Sequence, residues 1–240
     1  MGARRRRGAG KDGGGMNTTE PTGAAEAPVL VGIAGGSGSG KSSLARALRT
    51  ALGASQVACL SHDAYYRDRA ALPAAARAGL DYDVPEAFDQ DLFLAHLTAL
   101  RAGVAIRPPH YSFETHCRVG DGEPVEPRPV VLVDGILLLW DPAVRAALDL
   151  SIFLDAPERV RLQRRVSRDI SERGRTTASV LAQFDATVRR AHAAYVEPTR
   201  ALANLVLGNV GRLEPLAEIA SALILDRLAR RAARTRVGAA

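Results

Sequence analysis

The chain has 240 residues, 47% of them hydrophobic and 24% charged, with a net charge of +6. That is the composition of one globular domain carrying a lid or an appended tail; no run approaches the ~18 apolar residues of a membrane span. Two cysteines, Cys59 and Cys117, supply neither a disulfide framework nor a metal-ligand spacing, which suits a reducing cytoplasm. The positive charge is almost wholly arginine, Lys11 and Lys41 being the only lysines. Arginines that meet nucleotide phosphates explain this better than a nucleic-acid partner, so no nucleic acid is expected.

Residues 1–27 carry Arg4 to Arg7, then repeated glycines, with no apolar periodicity. A disordered tail with no secretory signal is expected. It is either an arm for RNA or anionic lipid or an extension ahead of Met16. Residues 28–235 then form the expected domain.

Val29 to Ala34 is short, apolar and β-branched, the pattern of a buried parallel strand. It runs into Gly35, Gly36, Ser37, Gly38, Ser39, Gly40, Lys41 and Ser42, which fit Gly-x-x-x-x-Gly-Lys-Ser/Thr. Ser43 to Leu52 follows with Leu44, Ala47, Leu48 and Leu52 at helical spacing. Glycines let backbone N–H groups approach phosphate oxygens, and the helix N-terminus adds partial positive charge. Lys41 is expected at the β- and γ-phosphates, and Ser42 at Mg²⁺ between them.

Gln56 to Leu60 reads as a second strand, delivering Asp63 toward the loop. As a residue alone, Asp63 is a general base, an orienter of an attacking hydroxyl, or a helix cap. Phe88 to Leu100 predicts a helix burying Phe88, Leu92, Ala95 and Ala99, with Leu94 and Leu97 alongside. Val104 to Ile106 and His110 to Val119 predict a β-hairpin closed before or through Gly120-Asp121-Gly122. Val130 to Val133 is a third strand, ending on Asp134 at the position of a Mg²⁺-side carboxylate. Leu150 to Leu154 is a fourth, and Asp155 with Glu158 suggests a capped helix start.

The helix expected over 156–172 presents Leu162, Val166 and Ile170 to the core and Arg161, Arg165 and Arg168 on another side. The arginine row continues into Arg173-Gly174-Arg175, where Gly174 is a candidate hinge. Thr177 to Tyr195 is helical, Ala203 to Leu207 a last strand, and Leu213 to Ala232 a closing amphipathic helix.

In order, GGSGSGKS at 35–42, HDAYYRD at 62–68, LDYDVPEAFD at 80–89, YSFETH at 111–116, VLVDGIL at 131–137 and RDISERGR at 168–175 resemble the uridine kinase (uridine–cytidine kinase) family of P-loop kinases. The resemblance runs from about Val29 to Ala232 and implies an α/β fold. Its parts are a P-loop NTPase-type parallel sheet flanked by helices, a nucleoside-covering hairpin lobe near 104–119 and an Arg-rich helical lid near 165–178. It implies transfer of phosphate from ATP or GTP, with Mg²⁺, to the 5′-hydroxyl of uridine and usually cytidine. Lys41, Asp63, Arg168 and Arg173 take catalytic positions by that likeness, and residues Gly35 to Ser43 hold the nucleotide. Asp83, Tyr111, His116, Arg165, Arg175 and Gln183 hold the nucleoside, and Ser42 and Asp134 the metal. A cytoplasmic enzyme of pyrimidine salvage, often tetrameric, is implied with no membrane partner. Three places depart from the family pattern. Asp134 stands where Glu is commoner, Arg189-Arg190 where Arg/Lys-Pro is usual, and Gly208-Asn209-Val210-Gly211-Arg212 where a Pro-Gly-rich loop touches adenine.

Overall fold

The computed structural model describes residues 27–238. The tail expected over residues 1–27 therefore lies outside the described residues, save Ala27.

Strand β1 (Val29–Ala34) is buried along its whole length. Successive strand side chains point to opposite faces. Leu30 and Ala34 accordingly enter one apolar cluster, and Val29, Val31 and Ile33 the other. A strand apolar on both faces needs helices on both, which is how an all-parallel sheet is covered. Strands β2 (Val57–Ser61), β5 (Val130–Asp134), β6 (Leu150–Asp155) and β7 (Leu205–Gly208) complete a parallel sheet of order β2-β5-β1-β6-β7. Helices α1 (Lys41–Leu52) and α8 (Glu214–Gly238) cover one face through Leu44, Leu48, Ala217, Ala220 and Ile224. Helices α3 (Gln90–Arg101) and α4 (Pro142–Ala147) cover the other through Phe93, Leu97, Leu100 and Val144. A short α2 (Ala74–Ala78) lies outside these layers in the connection after β2.

Local expectations over three segments are corrected: α3, the turn placed at Gly120-Asp121-Gly122 and the capped helix start placed at Asp155 and Glu158. In α3 the Asp89 carboxylate accepts from Leu92 N at 3.3 Å, so the helix starts at Gln90 and its buried stripe is Phe93, Leu97 and Leu100. Ala95 is exposed, and Phe88 is buried from the extended residue ahead of the cap. The hairpin pairs β3 (Pro109–Ser112) with β4 (Cys117–Asp121) and turns at residues 113–116. Gly120 and Asp121 continue β4, because Gly122 N donates to Pro108 O at 2.7 Å and Ile106 bridges Val125. Helix α5 (Glu158–Arg173) starts behind Pro157 with no side-chain cap. Asp155 is used elsewhere: its carbonyl accepts from Asn209 N at 2.6 Å and its carboxylate pairs with Arg200 at 3.2 Å.

The largest correction is which face α5 buries. Its buried residues are Arg161, Arg165 and Asp169, while Leu162 and Val166 are half-buried and Ile170 is exposed. The helix lies over the phosphate loop rather than the apolar sheet, so its charged side turns inward. After Gly174, α6 (Thr177–Gln183) continues through a π-helical turn Phe184–Val188, α7 (Arg189–Ala191) and a second π-helical turn His192–Val196.

Candidate active site

The carboxyl ends of β1, β2 and β5 adjoin in the sheet, and the functional side chains gather where those strands stop. Beyond β1 the backbone runs through positive φ at Gly35, Gly38 and Gly40 before α1 begins at Lys41. At Gly38 a Cβ would stand 2.2 Å from Arg161 O, so the loop is tight against α5. Lys41 is buried, and its Nζ donates to Gly36 O at 3.0 Å. Burial lowers its pKa to about 8, with Asp63 and Asp134 opposing the fall.

Ser42 follows, its Oγ donating to Asp134 Oδ2 at 2.5 Å across the β1–β5 step. Burial raises the Asp134 carboxyl, and the Ser42 hydrogen bond opposes that rise. From β2 comes Asp63, in a short 3₁₀ turn capped by Ser61 Oγ, which accepts from Asp63 N at 3.3 Å. Ser61 thus caps the turn, which leaves the Asp63 carboxylate for the cleft. Its Oδ1 is buried with no hydrogen-bond partner.

A cleft of about 610 Å³ joins these groups to a second cluster. Ser37, Lys41, Ser42, Asp63 and Asp134 line it, as do Asp83, Tyr111, His116, Arg165, Arg175 and Gln183, together with Arg168 and Arg173. Asp83 is buried, which raises its carboxyl pKa while Arg165 holds it down. Tyr111 Oη lies 3.4 Å from His116 Nδ1, and the Tyr82 ring stacks on His116 with centroids 4.4 Å apart. His116 takes φ 55°, a left-handed conformation that non-glycine residues seldom adopt. Arg165 Nη1 donates to Ser37 Oγ at 2.8 Å, and Arg165 Nη2 and Arg175 Nη1 both donate to Gln183 Oε1, at 3.0 and 2.5 Å.

The remaining loop residues do not line the cleft. Ser39 is buried, and its carbonyl accepts from Asn209 Nδ2 at 2.6 Å and from Arg164 Nη1 at 3.3 Å. Ser43 accepts from Arg46 at 3.2 Å on α1. Gly36 packs against Arg161 and His192, whose atoms a Cβ would meet at 2.6 and 2.7 Å. The departure at 208–212 thus puts Asn209 under the phosphate loop as a brace, and Arg189 is engaged with Glu158 at 3.0 Å and Asp185 at 2.9 Å.

Sequence reasoning missed Tyr66, Tyr82, Phe113 and Glu114, all lining the cleft, and Asp169 behind it. The signal was present, since each lies inside one of the quoted motifs; spacing could not say which way their side chains point.

The Ser42–Asp134 contact beside the phosphate loop fits a divalent cation held mainly by a nucleotide's phosphates, as Mg²⁺ is. Among the described residues no group of three or more His, Cys, Asp and Glu could hold a metal ion by itself. Nor is any described helix long and apolar enough to cross a membrane.

A family model described as phosphoribulokinase / uridine kinase matches residues 30–214. A uridine kinase from Chloroflexus aggregans is 44% identical over 185 residues, covering 77% of this chain and 88% of that protein. One from Clostridium perfringens is 39% identical over 201 residues, covering 84% and 97%. The solved phosphoribulokinase structure from Rhodobacter spheroides is 14% identical with a TM-score of 0.56, covering 77% of this chain and 71% of that one; this is a likeness of fold.

Proposed function

Since the chain belongs to the phosphoribulokinase / uridine kinase family, we propose that it transfers the γ-phosphate of ATP or GTP to the 5′-hydroxyl of uridine, and of cytidine, as in pyrimidine salvage. One observation carries this: phosphate-loop residues and a Tyr/His/Asp cluster line one and the same cleft, with Asp63 among its lining residues.

The acceptor hydroxyl meets Asp63, which takes its proton as the new P–O bond forms. Asp83, a double acceptor, suits a pair of ribose hydroxyls, and Tyr111 with His116 suits the edge of a pyrimidine. Lys41, Arg168 and Arg173 stabilise charge spread over the transferring phosphoryl oxygens. Ser42 and Asp134 would hold Mg²⁺, which would neutralise phosphate charge there. The arginine-bearing lid excludes water, so that the sugar hydroxyl is the nucleophile that reacts. Cytoplasmic placement and a homo-oligomer belong to the same reading.

The test is ADP release from Mg²⁺-ATP with uridine, cytidine, adenosine, ribulose 5-phosphate, pantothenate or no acceptor. Turnover stimulated by a pyrimidine nucleoside is expected. Turnover with ribulose 5-phosphate or pantothenate alone would overturn the roles given to Tyr111 and His116 while leaving the phosphate site standing. Nucleotide binding without turnover on any acceptor would overturn the catalytic reading.

A further inference from the structure

The inward side of α5 has at its centre a carboxylate to which the proposed transfer assigns no step. Asp169 is wholly buried. Its Oδ1 accepts from Arg168 Nε at 2.9 Å and Arg168 Nη2 at 2.7 Å, and its Oδ2 accepts from Arg175 Nη1 at 3.4 Å. Arg165 Nε and Arg173 Nη1 stand 3.6 and 3.7 Å from the same two oxygens. The Asp169 carbonyl accepts from the N–H of Gly174, the left-handed residue closing the helix, and from Arg175 N at 3.0 Å. Side chain and backbone of this residue therefore fix the turn that brings Arg175 back beside Arg165.

The arginines tied to Asp169 reach the phosphate loop, α6 and the hairpin around the cleft. Arg165 reaches Ser37 of the phosphate loop at 2.8 Å. Arg175 reaches Gln183 of α6 at 2.5 Å. The Arg173 guanidinium lies 3.9 Å above the Phe113 ring at the hairpin tip. Like charges gathered this closely repel, and each long side chain would otherwise spread into solvent. One buried carboxylate, fully hydrogen-bonded, offsets that repulsion and leaves the group cationic in excess.

We propose that Asp169 is the positioning residue of the transfer site, holding Arg165, Arg168, Arg173 and Arg175 converged on the cleft before any phosphate arrives. Asp169 touches neither substrate; it acts through the arginines. Its effect belongs to the step in which phosphoryl charge spreads, where a misplacement of about 1 Å costs roughly 10²-fold. This inference rests on the phosphotransfer reading above.

Asp169→Asn keeps the shape and removes the charge. In protein whose parent shows nucleoside-stimulated turnover, kcat is expected to fall roughly 10²-fold. The nucleotide KM should move no more than about threefold, while the nucleoside KM is expected to rise as Arg165 and Arg175 are displaced. In an Arg173→Ala background the same substitution is expected to cost far less, because residues acting through one another are not additive. A kcat within about threefold of the parent, or full additivity with Arg173→Ala, overturns the proposal. If the Asn variant does not fold, Asp169→Glu keeps the charge and displaces it by one methylene. A tenfold loss of kcat at an unchanged unfolding midpoint then supports the proposal, and parent-like kcat overturns it. A parent with no nucleoside-stimulated turnover would instead overturn the functional reading and leave Asp169 as a structural tie.

Discussion

Asp63, whose Oδ1 is buried with no hydrogen-bond partner, lines a cleft shared with Lys41 and Asp134. A buried acceptor left empty in a folded protein calls for an explanation, and a substrate hydroxyl that donates to it is the one the proposed chemistry offers. Asp63→Asn removes the base while keeping the shape, so kcat is expected to fall by roughly 10²–10⁴-fold in steady-state assays. A loss under about threefold would show that the proton leaves by another route. Asp63 was legible from sequence because a carboxylate follows an apolar strand by three residues. Asp169 was not singled out, since one of three acids in an arginine-rich helix looks like surface charge until the helix is seen to turn that side inward.

At the scale of elements, two glycines separate strain from collision. Gly174 closes α5 at φ 61° with nothing within 4 Å of an added Cβ, so alanine there meets only the cost of a left-handed backbone. Gly174→Ala is expected to lower stability by about 1–2 kcal/mol in urea unfolding and to leave binding of a non-hydrolysable ATP analogue intact. Gly38 combines φ 80° with a Cβ that would strike Arg161 O. Gly38→Ala is expected to abolish analogue binding by calorimetry, and near-parental affinity would show that the loop can move away from α5. Periodicity located α5 correctly and misassigned its faces. It assumes that the apolar stripe meets the core, and here the nearest partner is a phosphate loop whose carbonyls and hydroxyls suit guanidinium groups.

For the whole molecule, His62 links the site to stability. Its ring is wholly buried, stacked on Phe88 at 4.2 Å and packed against Gly135, with Nε2 3.2 Å from Gln90 Oε1. Burial lowers its pKa to about 4. The unfolded chain therefore binds a proton near pH 6.5 that the folded chain refuses until about pH 4. The stability is fully present above pH 6.5 and is lost as pH falls toward 4. Between pH 7 and pH 5 this one group is expected to remove about 2 kcal/mol, read as a smaller pH-dependent fall in unfolding free energy for His62→Asn than for the parent. Equal falls in the two proteins would assign the acid lability to other groups. The sequence by itself determined the strand-loop-helix at 29–52 and the order of the parallel strands' apolar runs, because local spacing and backbone chemistry dictate these, whereas Asp83, Tyr111, His116, Arg165, Arg175 and Gln183 were legible as site residues only through the resemblance to a family. Only the tertiary structure decided that α5 buries Arg161 and Arg165, that the hairpin turns at 113–116, that Asn209 braces Ser39 and that Arg165, Arg168, Arg173 and Arg175 stand around the Asp169 carboxylate. Each of these depends on which surface lies opposite a residue, and that partner is set by chain segments tens of residues away.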